Sequence, residues 1–139
     1  MKKPTNKLME ELNNTSQLDK YLKDNSNFLI DKSLCNFLCE KFEKNGLTKA
    51  DVIKKSEINE IYGYQILSGK RFPSRNKLIS LCVGAEFSIS ETNDILRIAE
   101  YSPLFPKIKR DSVIIFCMKK KYPVWKINEE LYDHNLQTL

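Results

Sequence analysis

Apolar positions recur at helical spacing from residue 33 onward. Leu34, Phe37, Leu38 and Phe42 stand at i, i+3, i+4 and i+8, and Lys41 at i+7 is the one polar interruption. That spacing predicts a helix with one buried stripe. Ser33 can cap it and Gly46 can close it. Thr48 caps a short second helix, with Asp51 at the third position as the carboxylate of a capping box. Its apolar face is Ala50, Val52 and Ile53, and the pattern stops near Ser56. After the link Glu57-Ile58, Asn59 opens a third helix running through Ile61, Tyr62, Tyr64, Gln65, Ile66 and Leu67 to Ser68, with Gly69 as the stop. Ser74 caps a fourth, whose core positions are Leu78, Ile79, Leu81, Cys82 and Val83 and whose end is Gly84. A fifth is expected to begin at Ser90. No stretch requires a strand, so the expected fold class is all-α.

Residues 1–27 are polar and rich in Asn and Lys. Segments LMEELNN and SQLDKYLKDN can each form one to three helical turns, with Ser16 as a cap and Leu18, Tyr21 and Leu22 on one face. Downstream, shifting the chain by 35 residues lays 75–96 over 110–131. Arg75/Arg110, Ile79/Ile114, Cys82/Cys117, Asn93/Asn128 and Leu96/Leu131 are then identical. Leu78/Val113, Leu81/Phe116, Phe87/Tyr122 and Ile89/Val124 match in kind. Two stacked αα-hairpins with equivalent cores follow from this repeat. The expected organisation is an N-terminal arm over 1–32, a five-helix core over 33–100 and a C-terminal helical hairpin over 101–139.

With 139 residues, 41% of them apolar, the chain is long enough to bury a core without disulfides or metals. Four glycines and five prolines favour helices over a many-turned β fold. The net charge of +5 is concentrated in one place. Residues 34–84 hold nine basic and five acidic side chains, whereas residues 85–139 balance at eight of each. A local basic surplus is what a phosphate-contacting face needs. The longest apolar run falls short of a membrane span, and the start, MKKPTNKLMEELNN, lacks the apolar core of a signal peptide. A cytoplasmic protein with no membrane partner is therefore expected, with its thiols reduced. Cys35, Cys39, Cys82 and Cys117 read as small core hydrophobes, since no second pair joins Cys35 and Cys39 and the single His134 is distant. Neither a phosphate loop, a nucleophile elbow nor a paired set of catalytic carboxylates is present, so no enzyme activity, metal or cofactor is expected. Lys119-Lys120-Lys121 reads as a basic helix end, and His134 as a helix-end cap. Trp125 stands at a helix start, as core or as an exposed dimer anchor.

The stretch LTKADVIKKSEINEIYGYQILSGKRFPSRNKLISL, residues 47–81, resembles the Cro/repressor (XRE) family of helix-turn-helix transcriptional regulators. The matching elements are Thr48, Lys49, Ile58, Asn59, Ile66, Gly69, Lys70, Pro73 and Leu78, without a gap. The longer string through FSISETNDILRIAEYSPLFPKIKRD and VWKINEELYDHNL also resembles a subgroup of small bacterial XRE regulators. The resemblance implies that helix 59–68 enters the major groove of double-stranded DNA, burying Gly63 and Ile66 while Glu60, Ile61, Tyr62, Tyr64 and Gln65 face outward or flank that stripe to read bases. Lys49, Lys70, Arg71, Arg75 and Lys77 would contact phosphates. The family usually places a phosphate-contacting Gln where Lys49 stands here. Glu60 would face phosphates unless it reads a cytosine amino group, and Gly63 costs roughly 1 kcal/mol of helix propensity. Leu67 replaces a residue that is usually polar. The implied function is a sequence-specific regulator, a repressor by promoter occlusion. The alternative is a protein-interaction module, antitoxin-like or adaptor, on the same fold. A homodimer is expected, because one recognition helix reads too few base pairs to mark a genomic site. Residues 110–139, with Val113, Ile114, Phe116, Trp125, Ile127, Leu131 and Tyr132, are the candidate contact surface.

Overall fold

A computed structural model describes residues 5–25 and 33–139, and among these every regular element is an α-helix. Contacts divide the chain into two compact units, 1–31 and 32–139. The first holds α1 (Thr5–Asn14) and α2 (Leu18–Asp24), which pack on each other. The capping residue of α2 is Gln17 rather than Ser16, and its side chain makes no capping bond. Thr15 organises the turn instead, its hydroxyl donating to the Gln17 carbonyl and accepting the Gln17 N–H, both at 3.3 Å. Residues 1–4 and 26–32 of the expected N-terminal arm lie outside the described residues.

The second unit contains α3 (Leu34–Lys44), α4 (Lys49–Ser56), α5 (Glu60–Leu67), α6 (Arg75–Gly84), α7 (Ile89–Ile98), α8 (Lys109–Lys119) and α9 (Val124–Asp133). Helices α6 and α7 pack as one hairpin and α8 and α9 as another, while α3 packs on α5 and α7, and α4 on α5 and α6. The links α3–α4, α6–α7 and α8–α9 turn in the same way. A left-handed residue follows the first helix, at Gly46, Glu86 and Lys121, with φ of 68°, 58° and 60°. The next N–H then returns to a carbonyl five residues back: Leu47 to Phe42 at 2.8 Å, Phe87 to Cys82 at 3.0 Å and Tyr122 to Cys117 at 3.0 Å. This Schellman closure folds an apolar side chain back onto its own helix. The helices pack around a common core that includes Leu38, Phe42, Ile79, Leu96, Ile114 and Leu131, all fully buried. No helix among the described residues is long and apolar enough to cross a membrane.

The 35-residue repeat extends to individual hydrogen bonds. Arg75 Nε donates to the Ser102 carbonyl at 3.0 Å, and Arg110 Nε to the Gln137 carbonyl at 2.8 Å. Asn93 Oδ1 accepts the Leu104 N–H at 2.8 Å, and Asn128 Oδ1 accepts the Leu139 N–H at 2.7 Å. Each hairpin thus straps down the segment that follows it with one Arg and one Asn. The two copies are also joined to each other. The Arg75 guanidinium grips the buried Asp111 carboxylate at 3.2 and 3.0 Å, and Arg110 donates to Asn76 Oδ1 at 2.8 Å.

Two end signals differ from the sequence expectation. The cap of α7 is Ser88, not Ser90, because only Ser88 has Glu91 three residues on to complete a capping box, with bonds of 3.1 and 3.0 Å. Thr48 caps α4 by accepting the Asp51 N–H at 3.2 Å. Gly84 does not terminate α6 as a stop signal; it is the last helical residue, and Glu86 takes the left-handed position. A Cβ at Gly84 would strike the Ser56 hydroxyl and lie 2.7 Å from the Val52 carbonyl, so its smallness is what lets α6 lie against α4. The hydroxyl of Ser56 is itself bonded to that carbonyl at 2.6 Å, inside the contact.

Candidate nucleic-acid interface

Helix α5 is short and is held from both ends. Asn59 Oδ1 accepts the Tyr62 N–H at 3.0 Å, and Glu60 in the first turn complements the helix dipole. At the other end Gly69 adopts φ 86°, and the Gln65 carbonyl accepts the N–H groups of Lys70 and Arg71 at 2.9 and 3.2 Å. The buried face is Gly63, Ile66 and Leu67. At Gly63 a Cβ would lie 2.9 Å from both Ile53 Cγ1 and Cγ2. Ile53 of α4 occupies the space that an aliphatic residue at 63 would fill. Leu67 is likewise core rather than surface, 3% exposed.

Glu60, Ile61 and Tyr64 are exposed on the outer face, Ile61 at 70%. Gln65 lies half-buried at the edge of that face. Tyr62 is half-buried and packs against the core, so it does not join the outward set. Beside this face, Ala50, Ile53, Lys54, Ile58, Glu60 and Tyr64 line a shallow concavity of about 450 Å³ between α4 and the start of α5.

The basic residues fall into two groups. Lys49, at the first position of α4, and Lys70 and Arg71, in the loop after α5, are exposed and carry no ion-pair partner among the described residues. Lys77 in α6 is half-buried. Arg75 belongs elsewhere. Four of its five N–H donors are engaged, by both Asp111 oxygens and by the carbonyls of Ser102 and Pro103. It ties two hairpins together and is not available to a phosphate. The loop carrying Lys70 and Arg71 is pinned on its far side, where the Tyr101 hydroxyl donates to the Pro73 carbonyl at 2.6 Å and the Phe72 ring tilts against Tyr101.

Cysteine and histidine chemistry is quiet. Cys82 and Cys117 are fully buried, and burial pushes the Cys82 thiol up to about 12 and raises that of Cys117. Cys35 and Cys39 are only half-buried, unlike the core positions expected of them, and Cys39 leans on the Leu67 carbonyl at 3.5 Å. Among the described residues no group of His, Cys, Asp and Glu is placed to hold a metal ion. His134 caps α9, its Nδ1 2.7 Å from the Glu130 carbonyl. Trp125 is exposed at the start of α9, and its backbone N–H donates to the Glu57 carboxylate at 2.8 Å. Sequence reasoning missed that role of Glu57, because the partners are 68 residues apart and no local pattern pairs them.

Compared with known protein families, with curated proteins and with solved structures, the chain matches none of them.

Proposed function

We propose that this chain is a sequence-specific DNA-binding regulator of the Cro/repressor kind, repressing by occlusion, with α3–α7 as its helix-turn-helix core and α5 in the major groove. The observation that carries this reading is the flanking of an outward helix face by uncommitted cations. Helix α5 buries Gly63, Ile66 and Leu67 and presents Glu60, Ile61 and Tyr64, with Lys49 at the start of α4 and Lys70 and Arg71 just beyond its own end. Side chains on such a face meet base edges while the cations meet backbone phosphates. Gln65 pairs bidentately with adenine, Ile61 touches a thymine methyl, and Glu60 accepts from a cytosine amino group. Lys49, Lys70, Arg71 and Lys77 supply the phosphate contacts. A second copy would double the base pairs read. Phe116 of α8 with Trp125 and Tyr132 of α9, each more than half exposed, offer the apolar surface for it.

One observation favours the protein-interaction alternative. Ile61 and Phe72, the most exposed apolar residues near α5, are anchor types for a protein partner. Selection of bound fragments from a genomic DNA pool separates the two readings. Enrichment of one motif, with a salt slope that falls by about one unit in Lys70→Ala and in Arg71→Ala, supports DNA readout. In that motif Gln65→Ala relaxes one base pair by about 1–3 kcal/mol. No enrichment at low salt would overturn the DNA reading in favour of the protein-binding one.

A further inference from the structure

A second concavity of the 32–139 unit lies where three helix ends meet. The end of α4, the α6–α7 turn and the α8–α9 turn surround a cleft of about 860 Å³. Each contributes its left-handed residue to the wall: Glu57, Glu86 and Lys121. The apolar part of the lining comes from Val83, Phe87, Ile89, Met118, Tyr122 and Pro123. This volume falls within the range of small-molecule sites, which are concave, largely apolar and edged by a few polar groups.

Charge at the rim decides what such a cleft would accept. Four lysines line it, Lys54, Lys55, Lys119 and Lys121, all exposed and none with an ion-pair partner among the described residues. Of the three carboxylates, two are already engaged. Glu57 accepts the Trp125 backbone N–H at 2.8 Å, and Glu91 accepts the Ser88 N–H at 3.0 Å and pairs with Lys41 at 3.1 Å. Lys41 offsets Glu91, whereas Glu57, bonded to a neutral N–H, and Glu86 keep their charges, so four lysines face two carboxylates and the rim keeps a positive surplus over an apolar lining. Lysine stems also add apolar cover while their ammonium groups stay at the mouth.

We propose that this cleft is a binding site for a small amphipathic organic anion, its apolar body against Ile89, Met118 and Tyr122 and its carboxylate or phosphate among the four lysines. The cleft shares Lys54 with the concavity beside α5, and ligand binding there does not depend on DNA binding.

Titration of the full chain with octanoate, below its micelle concentration, and with octanol tests this. Isothermal calorimetry and two-dimensional NMR are the readouts. Octanoate binds saturably with a stoichiometry of one, shifts resonances of Ile89, Met118 and Tyr122, and exceeds octanol by about fivefold or more in affinity. The surface double variant Lys55→Gln/Lys119→Gln reduces octanoate binding to the octanol level and keeps the fold. Ile89→Glu, at the first position of α7 where a carboxylate suits the helix dipole, removes binding of both probes. Trp125→Ser, on the exposed outer side of α9, leaves both unchanged. Three results would each overturn the proposal: no saturable binding, equal affinity for acid and alcohol, or shifts confined to the Phe116–Trp125–Tyr132 surface.

Discussion

Replacing Arg75 by alanine distinguishes a structural arginine from a phosphate-binding one, and the size of its effect follows from the surroundings of Asp111. That carboxylate is 2% exposed and accepts three bonds, two from Arg75 and one from the Phe105 N–H at 3.0 Å. Arg75→Ala leaves a buried charge with a single donor, a change that typically costs 3–5 kcal/mol. The Arg75 side chain is 23% exposed, so water can reach part of the vacated space and the lower end applies, about 3 kcal/mol. Its bonds to the Ser102 and Pro103 carbonyls add little, because Ser102 is exposed and can be rehydrated. A loss of this size is a large share of a total stability of roughly 5–15 kcal/mol and lowers the Tm by roughly 10 °C or more. Urea denaturation followed by circular dichroism measures it. A cycle with Asp111→Ala should return a coupling of about 2 kcal/mol, since the double variant no longer buries a lone carboxylate. An unchanged urea midpoint in Arg75→Ala, with a DNA salt slope reduced by one unit, would refute the assignment and return Arg75 to the phosphate contacts.

Four further outcomes follow from the packing and the titrating groups. Gly84→Ala should destabilise by about 3 kcal/mol or more, because the new methyl meets the Val52 carbonyl and the Ser56 N–H of the α4 backbone, which cannot turn away. Gly63→Ala meets only the Ile53 side chain, so its loss should be near 1–2 kcal/mol and shrink in the Ile53→Ala background, which removes both Cγ atoms; thermal melts of these variants check the ranking. A disulfide exchange reagent at neutral pH should modify Cys35 and Cys39 within minutes and reach Cys82 and Cys117 only after urea is added, as their buried, raised-pKa thiols require. Glu91 has its pKa lowered by the Ser88 N–H first and by Lys41 next, so its contribution is complete above the ordinary carboxylate range and fades as pH falls through the depressed value; Glu91→Gln should flatten the acid limb of a stability–pH curve as pH falls through and below the ordinary carboxylate range.

Local sequence signals located most helices because the signals are themselves local. Ser33, Thr48, Asn59 and Ser74 each accept the N–H three residues on, as their position before an apolar run implies. The repeat was legible because its conserved pairs, Arg75/Arg110 and Asn93/Asn128, are the residues that make the strapping bonds. What stayed hidden depends on distant partners. The left-handed residues at Glu57, Glu86, Glu100, Lys121 and Asn135 include no glycine, so composition does not mark them. Arg75 looks like any basic residue beside a basic loop until Asp111, 36 residues later, is brought to it. Tyr62, one helical turn before the buried Ile66, flanks the buried stripe and packs against the core. The cleft walled by three turns has no local pattern at all, since its sides are assembled only when the hairpins stack.

Gly84 has a bearing on how a chain with two interchangeable-looking halves assembles correctly. Hairpins α6–α7 and α8–α9 share boundaries, turn and straps, and a sequence of this kind risks docking the wrong copy, or the copy of a neighbouring molecule, on the same partner. The seat on α4 admits only a residue without a Cβ. The position 35 residues after Gly84 is Lys119, a long charged side chain that the seat excludes. One absent methyl thus works as an address, directing α6–α7 to α4 and turning α8–α9 away, and an exchanged or misthreaded form is disfavoured before it can close.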